Sequence, residues 1–337
     1  MVRVETRVEE VSGVDPTAIP SDILDSAKPL LLRGLVSGWP VVEQGRRHSH
    51  RALEQIRSLY SSKPVALFMG DPAINGRFFY NEDLTGFNFD HMQSDLRPVL
   101  DKLMAIEGDA EAMSLYVGST GVDTALPGFR EHNDLNLSAH KPLVSIWLGN
   151  RSRIATHFDY PKNIACCVVG RRRFTLFPPE QISNLYLGPL ELTPAGQQIS
   201  LVDLLEPDFD RYPKFAEALG AALGAELEPG DALFLPSLWW HHVEALDAIN
   251  VLVNYWWNPL PEYLGYPADA LTHAMFSIKE LPREQREAWR AYFDYYVFGE
   301  PADRIAHLPK DSRGRLDHID QVGARRMRAE LLNRLKQ

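Results

Sequence analysis

Two short segments of the chain carry residue types that can bind a transition metal. His157 and Asp159 are two positions apart, and about eighty residues later positions 239–242 read Trp-Trp-His-His. Residues two apart on a β-strand point to the same face, so an imidazole and a carboxylate at this spacing can reach one ion. His241, with its neighbour His242 as the competitor, adds a second imidazole. Two histidines and one carboxylate leave coordination positions open and suit Fe(II) in oxygen chemistry, so the pattern predicts an iron oxygenase.

The residues before His241 predict how that histidine is positioned. Positions 229–231 (Pro-Gly-Asp) are typical of a tight turn, positions 232–235 of a buried strand, and Pro236 ends that strand. We therefore expect His241 just beyond the strand, beside aromatic side chains that exclude water from a metal. Zinc also binds two histidines and a carboxylate, but zinc peptidases usually present them as H-E-x-x-H on a helix, which this sequence lacks.

A triplet of arginines supplies a candidate site for a co-substrate. Iron oxygenases of this type need electrons, usually from 2-oxoglutarate, which chelates the metal at one end and presents a carboxylate at the other. Arg171, Arg172 and Arg173 follow a glycine turn, and alternation along a strand sends Arg172 to one face and its neighbours to the other. A guanidinium can grip a carboxylate with two hydrogen bonds. The alternative is three arginines that face solvent at a hairpin.

Length, charge and cysteine content narrow the class of protein. A chain of 337 residues can hold one large catalytic domain with helical appendages. Its net charge of −10 argues against a nucleic-acid or anionic membrane surface. We find no signal-peptide core and no apolar run of about 18 residues that could span a bilayer. Cys166 and Cys167 are adjacent and would point to opposite faces of a strand, so no disulfide is expected between them. These features predict a cytoplasmic protein without a nucleic-acid or membrane partner.

The organisation along the chain separates a β-rich catalytic region from its flanks. Residues 1–27 are interpreted as a lead-in, and residues 28–262 as the catalytic domain, which begins with mixed helices and strands and includes a predicted helix over residues 90–108. From about residue 112 to 257, short apolar segments separated by Gly, Pro and Asn predict the strands of a β-sandwich or barrel. Within that region, residues 178–223 form a long insertion, which we expect to be a lid or a substrate wall.

Residues 263–337 have the pattern of helices. One predicted helix begins at Pro282-Arg283 and carries Trp289, Tyr292, Phe293 and Tyr296. This aromatic face is too large to remain in water. It predicts either a homodimer through the C-terminal helices or docking on the β-core of the same chain.

Four motifs together resemble a known family. They are H-x-D-x-x-x-N at 157–163, G-x-R-R-F-x-L-F-P-P at 170–179, P-G-D-x-L-F-L-P-x-x-W-W-H-H at 229–242 and V-N-Y-W at 253–256. In combination they resemble the cupin-like JmjC family of Fe(II)/2-oxoglutarate-dependent oxygenases, in particular its asparaginyl hydroxylases and their bacterial relatives. The resemblance implies a mainly β fold, the double-stranded β-helix or jelly roll, with N-terminal α/β decorations and a C-terminal helical region that forms the dimer.

The resemblance also implies roles for individual residues. Its members bind Fe(II) and the co-substrate 2-oxoglutarate, and the matching metal ligands here are His157, Asp159 and His241. The matching positions around the co-substrate are Arg172, Tyr116, Asn163 and Asn254. Trp256 corresponds to an aromatic residue of the substrate pocket, to which we also assign Trp240.

Two positions depart from the family pattern near the co-substrate. Arg172 stands where the asparaginyl hydroxylases have a lysine, which keeps the positive charge but lengthens the reach. Ile154 stands where they have a threonine that donates a hydrogen bond to the same carboxylate, so this chain has one donor fewer at that point.

The predicted activity is hydroxylation of a C–H bond, with release of succinate and CO₂, and the leading interpretation of the substrate is a protein side chain. A small-molecule hydroxylase of the same chemistry is one alternative. Another is a metal-binding cupin without catalysis that acts as a sensor or scaffold. A cupin sugar isomerase is disfavoured because the sequence lacks the expected H-x-H cluster.

Overall fold

Fourteen strands run through the residues that the computed structural model describes, which are 4–194, 196–258 and 260–336. In chain order they are β1 (Glu9–Ser12), β2 (Leu30–Arg33), β3 (Val65–Gly70), β4 (Arg77–Phe78), β5 (Phe89–Ser94), β6 (Ser114–Gly121), β7 (Leu143–Gly149), β8 (Ser152–Phe158), β9 (Lys162–Val169), β10 (Arg172–Phe177), β11 (Leu223–Leu227), β12 (Ala232–Leu235), β13 (Trp240–Ala245) and β14 (Asn250–Trp257).

The strands form two sheets. The larger sheet has nine strands in the order β1-β2-β12-β9-β14-β7-β6-β3-β5, and the smaller has five in the order β11-β10-β13-β8-β4. The pairs are antiparallel except β1–β2 and β4–β8. Strands β12-β9-β14-β7 of the larger sheet face β11-β10-β13-β8 of the smaller one, because residues of both sets share one hydrophobic core. The predicted mainly β jelly roll with flanking helices is therefore confirmed.

Helices occur before, between and after the strands of the β-core. The α-helices are α1 (Ser21–Leu24), α2 (Pro40–Arg47), α3 (Ser49–Leu59), α4 (Leu96–Ala105), α5 (Val122–Ala125), α6 (Phe215–Gly220), α7 (Pro267–Ile278), α8 (Arg283–Phe293), α9 (Pro301–Ile305) and α10 (Gln321–Leu335). A π-helical segment, Asp294–Phe298, follows α8. Short 3₁₀ turns are Pro72–Ile74, Phe129–Glu131, Ser138–His140, Pro179–Asn184, Lys310–Ser312 and Gly314–Leu316.

Alternation along the strands separates two layers of core. On β14, Val251, Val253 and Tyr255 pack with the N-terminal helices α2, α3 and α4. Leu252, Asn254 and Trp256 point to the opposite side, toward the smaller sheet. The first set is apolar because it is covered by helices. The second set mixes apolar and polar side chains. It faces the cavity between the two sheets, which contains the candidate functional residues.

The helix predicted over residues 90–108 begins later in the structure than expected. Residues 90–94, which we expected to be the first turn of a helix, belong to strand β5, and the helix α4 begins at Leu96. The carboxylate of Asp95 accepts a hydrogen bond from the Arg97 N–H at 2.9 Å and caps the helix at that point. The apolar spacing of Met92 with Leu96 suggested helix, but Met92 is exposed on the strand.

The described residues divide into two compact units, one that ends at residue 258 and one that begins at residue 260. The second unit contains α7 to α10, and Ala324 is the one buried side chain among its described residues. Large apolar side chains remain exposed on it, including Phe276 at 82% and Phe298 at 75%. Across both units, the described residues include no helix with the length and apolar character needed to cross a membrane.

Candidate metal centre

Two histidines face each other across neighbouring strands at the centre of the smaller sheet. His157 on β8 is the register partner of His241 on β13, and their ring centroids are 4.3 Å apart. Asp159 follows β8, and its carboxylate lies 3.7 Å from His241 Nε2. One ligand atom from each of the three residues falls within 4.8 Å of the others. The structure thus brings the three predicted ligands together. His241 lies on its own strand rather than just after β12.

The hydrogen bonds of the His157 and His241 rings leave the Nε2 nitrogen of each ring free to bind a metal. His157 Nδ1 donates to the carbonyl of Ala155 at 2.9 Å, and His241 Nδ1 donates to the carbonyl of Trp239 at 2.9 Å. A carbonyl oxygen can only accept, so each proton resides on Nδ1 and the lone pair on Nε2 is available. Such orientation of the ligating ring by a backbone carbonyl is usual in metal sites.

The protonation of His241 fits this role. The side chain is buried, and burial together with the neighbouring His157 lowers the pKa of His241 to about 4, although Asp159 opposes this shift. The imidazole is therefore neutral at pH 7, the form that binds a metal. The donor set of two imidazoles and one carboxylate is suited to Fe(II).

The backbone around Asp159 is fixed by the turn that precedes β13. The Leu238 N–H donates to the carbonyl of Asp159 at 2.9 Å. Leu238 itself has a φ of 66°, in the left-handed region that a leucine rarely adopts. Backbone strain of this kind costs roughly 1–2 kcal/mol and is often found at functional sites. The residue that follows Leu238, Trp239, provides the carbonyl that accepts the hydrogen bond from His241 Nδ1.

The three residues lie at one side of a cavity of about 460 Å³ between the two sheets. Most of its wall is aromatic or aliphatic. Besides the three ligands, the lining includes Tyr116, Trp147, Asn163, Arg172, Asn254 and Trp256 from the strands, and Pro194, Gln197 and Ile199 from the insertion. A mostly apolar cavity with a few converging polar groups is typical of a small-molecule site.

Arg172 is the residue predicted to bind the far carboxylate of the co-substrate, and the structure places its side chain in the protein interior. It is 3% exposed, whereas Arg171 and Arg173 lie on the surface and pair with Asp247 and Glu226. The Nε of Arg172 is inaccessible and has no hydrogen-bond partner among the described residues. A buried charge without a partner is costly, so an anionic ligand at this point would stabilise the site.

Tyr116 reaches the same part of the cavity from β6. Burial raises the pKa of the Tyr116 hydroxyl, and the nearby positive charge of Arg172 opposes this shift. The phenol therefore remains protonated at neutral pH and can donate a hydrogen bond. Tyr116 and Arg172 form a pair of donors suited to a carboxylate.

The two predicted asparagines form a buried pair. Asn254 Nδ2 donates to Asn163 Oδ1 at 2.8 Å, which leaves Asn254 Oδ1 without a partner among the described residues. Trp256 lies one strand position beyond Tyr255 and lines the cavity beside them. Its indole Nε1 is also buried and unpartnered in the described part of the chain. Polar atoms left open on a cavity wall indicate that a ligand completes them.

Trp240 was predicted to line the substrate pocket, and the structure places it elsewhere. It does not belong to the cavity lining but to a separate hydrophobic cluster, where its ring meets Phe158 edge-on at 4.8 Å. The reason is alternation: His241 faces the cavity, so its neighbours on β13 face away. His242 is likewise turned from the ligand set, is buried, and has a pKa lowered to about 3 by burial.

The cavity also contains residues that sequence reasoning did not single out. Phe68 on β3, Phe78 on β4 and Phe89 on β5 form one wall, and Trp147 on β7 forms another. Trp147 could have been found from the alternation of β7, in which Val144, Ile146 and Leu148 are buried on the other side. The three phenylalanines come from segments about 70 to 90 residues before the ligands, and nothing local in those segments signals their position.

A family profile described as a cupin-like domain matches residues 16–263 of the chain. The chain is also similar to curated proteins. It is 32% identical over 151 residues to HSPB1-associated protein 1 of Homo sapiens, covering 43% of this chain and 30% of that protein. It is 32% identical over 127 residues to Lysine-specific demethylase JMJ31 of Arabidopsis thaliana, covering 36% and 23%.

A third relative is tRNA wybutosine-synthesizing protein 5 of Gallus gallus, 31% identical over 147 residues, with 39% of this chain and 43% of that protein covered. The matched segments thus span less than half the length of each of these three relatives. The family profile, which matches residues 16–263, includes the β-core that carries the ligand set.

Proposed function

Because this chain belongs to the cupin-like domain family, of the JmjC type, we propose that it is an Fe(II)- and 2-oxoglutarate-dependent oxygenase. The observation that carries the proposal is the cavity, which combines His157, Asp159 and His241 at one side with the buried, unpartnered Arg172 at another. A metal site alone fits many functions. A metal site and a buried guanidinium in one cavity fit a co-substrate that binds the ion at one end and carries an anion at the other.

The spacing of the two features along the strands supports this assignment. Arg172 is the register partner of Ala245, four residues beyond His241 on β13. At about 3.3 Å per residue this corresponds to roughly 13 Å along the strand. The arginine side chain covers part of that distance, and a five-carbon dicarboxylate can cover the remainder.

The protein would contribute binding, orientation and exclusion of water. His157, Asp159 and His241 would hold the metal, while Arg172 and Tyr116 would fix the far carboxylate of 2-oxoglutarate. When bound, iron and 2-oxoglutarate activate O₂, so that the substrate is hydroxylated at a C–H bond and 2-oxoglutarate becomes succinate and CO₂. Aromatic walls keep the reacting centre dry. No side chain is needed as a general acid or base, since the difficult chemistry belongs to the cofactors.

We propose a protein side chain as the substrate, with a small molecule as the alternative. A cavity of about 460 Å³ has room for the co-substrate and one side chain rather than for a folded domain. Two relatives have names that refer to lysine demethylation and to tRNA, and these names describe those proteins. The net charge of −10 weighs against a nucleic-acid substrate for this chain. A binding protein without catalysis is disfavoured because both the ligand set and the cation are present.

We also propose that residues 28–262 form the catalytic domain and that residues 263–337 mediate homodimerisation. The C-terminal unit exposes Phe276, Trp289, Tyr292 and Phe298 and has little buried core of its own. Apolar surface of this kind is stabilised when a second copy covers it.

The test of the oxygenase is succinate formation. Protein purified without oxygen is given Fe(II) and 2-oxoglutarate and then exposed to O₂, beside a His157→Ala variant. Slow formation of succinate without added substrate, abolished in the variant, supports the proposal. If wild-type protein forms no succinate and calorimetry detects no 2-oxoglutarate binding, the non-catalytic cupin becomes the better interpretation.

A further inference from the structure

Trp147 lines the candidate site but belongs to none of the four sequence motifs. It is on β7, where Val144, Ile146 and Leu148 are buried against the N-terminal helices, so Trp147 points to the cavity side. Its ring stacks on Tyr116 with centroids 5.8 Å apart and meets Trp256 edge-on at 5.7 Å. The indole is thus held between two residues of the cavity wall.

The indole N–H of Trp147 has nothing to donate to. Its Nε1 is inaccessible to solvent and has no hydrogen-bond partner among the described residues. An indole N–H is a donor only, and a buried donor left unpaired is costly. Two tryptophans outside the cavity show the usual outcome: Trp39 Nε1 donates to the carbonyl of Asp134 at 3.3 Å and Trp239 Nε1 to that of Ala27 at 3.1 Å. A ligand that brings an acceptor to Trp147 would therefore stabilise the site.

Strand register places Trp147 at the Arg172 end of the cavity. Trp147 pairs with Leu252 on β14, and Leu252 pairs with Cys167 on β9. Cys167 and Tyr116 are both within electrostatic reach of Arg172. Trp147 thus lies at the strand level of Cys167 and stacks on Tyr116, the two residues that interact electrostatically with Arg172.

The second unpartnered indole is that of Trp256, on the neighbouring strand β14. Trp256 pairs with Asn163, four residues further along β14 from Leu252, and its ring meets that of Trp147 edge-on. Its buried N–H has no partner among the described residues either. The two rings are in contact, but the backbone of Trp256 lies at the level of Asn163 on β9, whereas that of Trp147 lies at the level of Cys167.

Ile154 occupies the same region and offers no hydrogen bond. Ile154 and Trp147 both pack on the core cluster that contains Phe174, Val243 and Leu252. The side chain of Ile154 is a hydrocarbon, so on its strand β8 the carboxylate end of the cavity has no donor at this position. Trp147 reaches this end from the opposite sheet with an N–H that lacks an acceptor.

We propose that Trp147 Nε1–H is the third donor, beside Arg172 and Tyr116, to the far carboxylate of 2-oxoglutarate, and that it supplies the hydrogen bond that the hydrocarbon side chain of Ile154 cannot donate. This inference rests on the proposed function and goes beyond it, because it assigns a binding role to a residue outside the four motifs. It makes the carboxylate end of the cavity a site built from both sheets.

The test is a thermodynamic cycle between the indole and the carboxylate. Mn(II) replaces Fe(II) and oxygen is absent, so binding is measured by calorimetry without turnover. The two ligands are 2-oxoglutarate and 2-oxovalerate, in which a methyl group replaces the far carboxylate. Trp147→Phe removes the N–H and keeps an aromatic ring. We expect this variant to bind 2-oxoglutarate about 10- to 100-fold more weakly, as for loss of a hydrogen bond to a charged group. Its affinity for 2-oxovalerate should stay within about twofold.

Trp256→Phe is the matched comparison, since it removes a buried, unpartnered N–H from the neighbouring indole, whose backbone lies at the level of Asn163. Any effect of this change should be equal for the two ligands. If Trp147→Phe weakens both ligands equally, or neither, the assignment of Trp147 is wrong while the oxygenase proposal stands. If wild-type protein binds no 2-oxoglutarate, both proposals fail.

A second variant guards against loss of packing in Trp147→Phe. Incorporation of 3-benzothienylalanine at position 147 replaces the N–H with sulfur and keeps the bicyclic shape. The same ligand-specific loss is expected. Equal affinity of this variant and wild-type protein for 2-oxoglutarate would overturn the assignment.

Discussion

His157 and His241 are directly opposed residues on antiparallel neighbours, with ring centroids 4.3 Å apart and each Nδ1 held by a backbone carbonyl. Their spacing is set by the strand pairing and not by loop conformation. A metal bound by both rings would therefore connect β8 to β13 in the folded state alone.

We predict that a divalent metal raises the stability of the protein. A ligand that binds only the native state at 100 times its Kd adds about 2.7 kcal/mol to the free energy of unfolding. Thermal unfolding with Mn(II) and with a chelator should show a higher Tm in the presence of metal. Asp159→Ala should abolish the difference. His242→Gln, which changes a neighbour turned from the ligand set, should retain it; loss in both variants would contradict the assigned ligands.

Replacement of Arg172 should weaken co-substrate binding and leave metal binding unchanged. Arg172→Met deletes the buried guanidinium, and we expect the Kd of 2-oxoglutarate to rise by roughly 100-fold, about 2.7 kcal/mol. Arg171→Met is the matched control, because Arg171 is exposed and pairs with Asp247. Calorimetry in the presence of Mn(II) makes the comparison. An equal loss in the two variants would place the carboxylate elsewhere.

Trp240 should matter for stability and not for the site. Trp240→Ala removes a buried ring from the cluster with Phe158 and should lower the free energy of unfolding by about 3–5 kcal/mol. The metal affinity of the folded protein should change little, as urea unfolding and Mn(II) titration can establish. A large loss of metal affinity without loss of stability would indicate that Trp240 belongs to the pocket.

The exposed aromatic residues of the C-terminal unit predict a dimer in solution. Phe276 and Phe298 are 82% and 75% exposed, and a glutamate at both positions would place charges within an apolar interface. Sedimentation equilibrium should give a dimer for the wild-type protein and a monomer for the Phe276→Glu/Phe298→Glu double variant. A wild-type monomer at micromolar concentration would contradict the proposed interface.

The two cysteines should be unreactive in the native protein. Both are free and buried, and burial raises the pKa of the Cys167 thiol to about 12. A raised pKa means that the thiol stays protonated, and only the thiolate is nucleophilic. At pH 8 the thiolate fraction is about one in ten thousand. Titration with a disulfide reagent should detect no fast thiol in the native state and two in urea; a fast native thiol would show local opening of β9.

Much of the β-core followed from local pattern. Alternation correctly sent Arg172 inward and its neighbours outward, and the spacing of His157 and Asp159 correctly placed both at one cavity. Alternation failed for Trp240 only because the strand β13 was not recognised, so its neighbour His241 was assigned to a loop end. A register shift between His241 and Val243 further separates this strand from a regular pattern.

The cavity wall formed by Phe68, Phe78 and Phe89 could not be predicted from local sequence patterns. These residues reach the cavity because β3 and β5 extend the larger sheet and β4 extends the smaller one. Such pairings depend on which strands meet across long stretches of chain. No periodicity within a strand specifies its neighbours.

The insertion between β10 and β11 leaves and returns at adjacent points, since Leu176 on β10 is the register partner of Leu223 on β11. A loop whose ends are already held together can gain or lose residues at small entropic cost. It contributes Pro194, Gln197 and Ile199 to the cavity but none of the three ligands. Changes in the length or sequence of this segment would therefore alter one wall of the cavity without moving β8 or β13. The substrate that the cavity accepts could then change while the three candidate ligands stay in place.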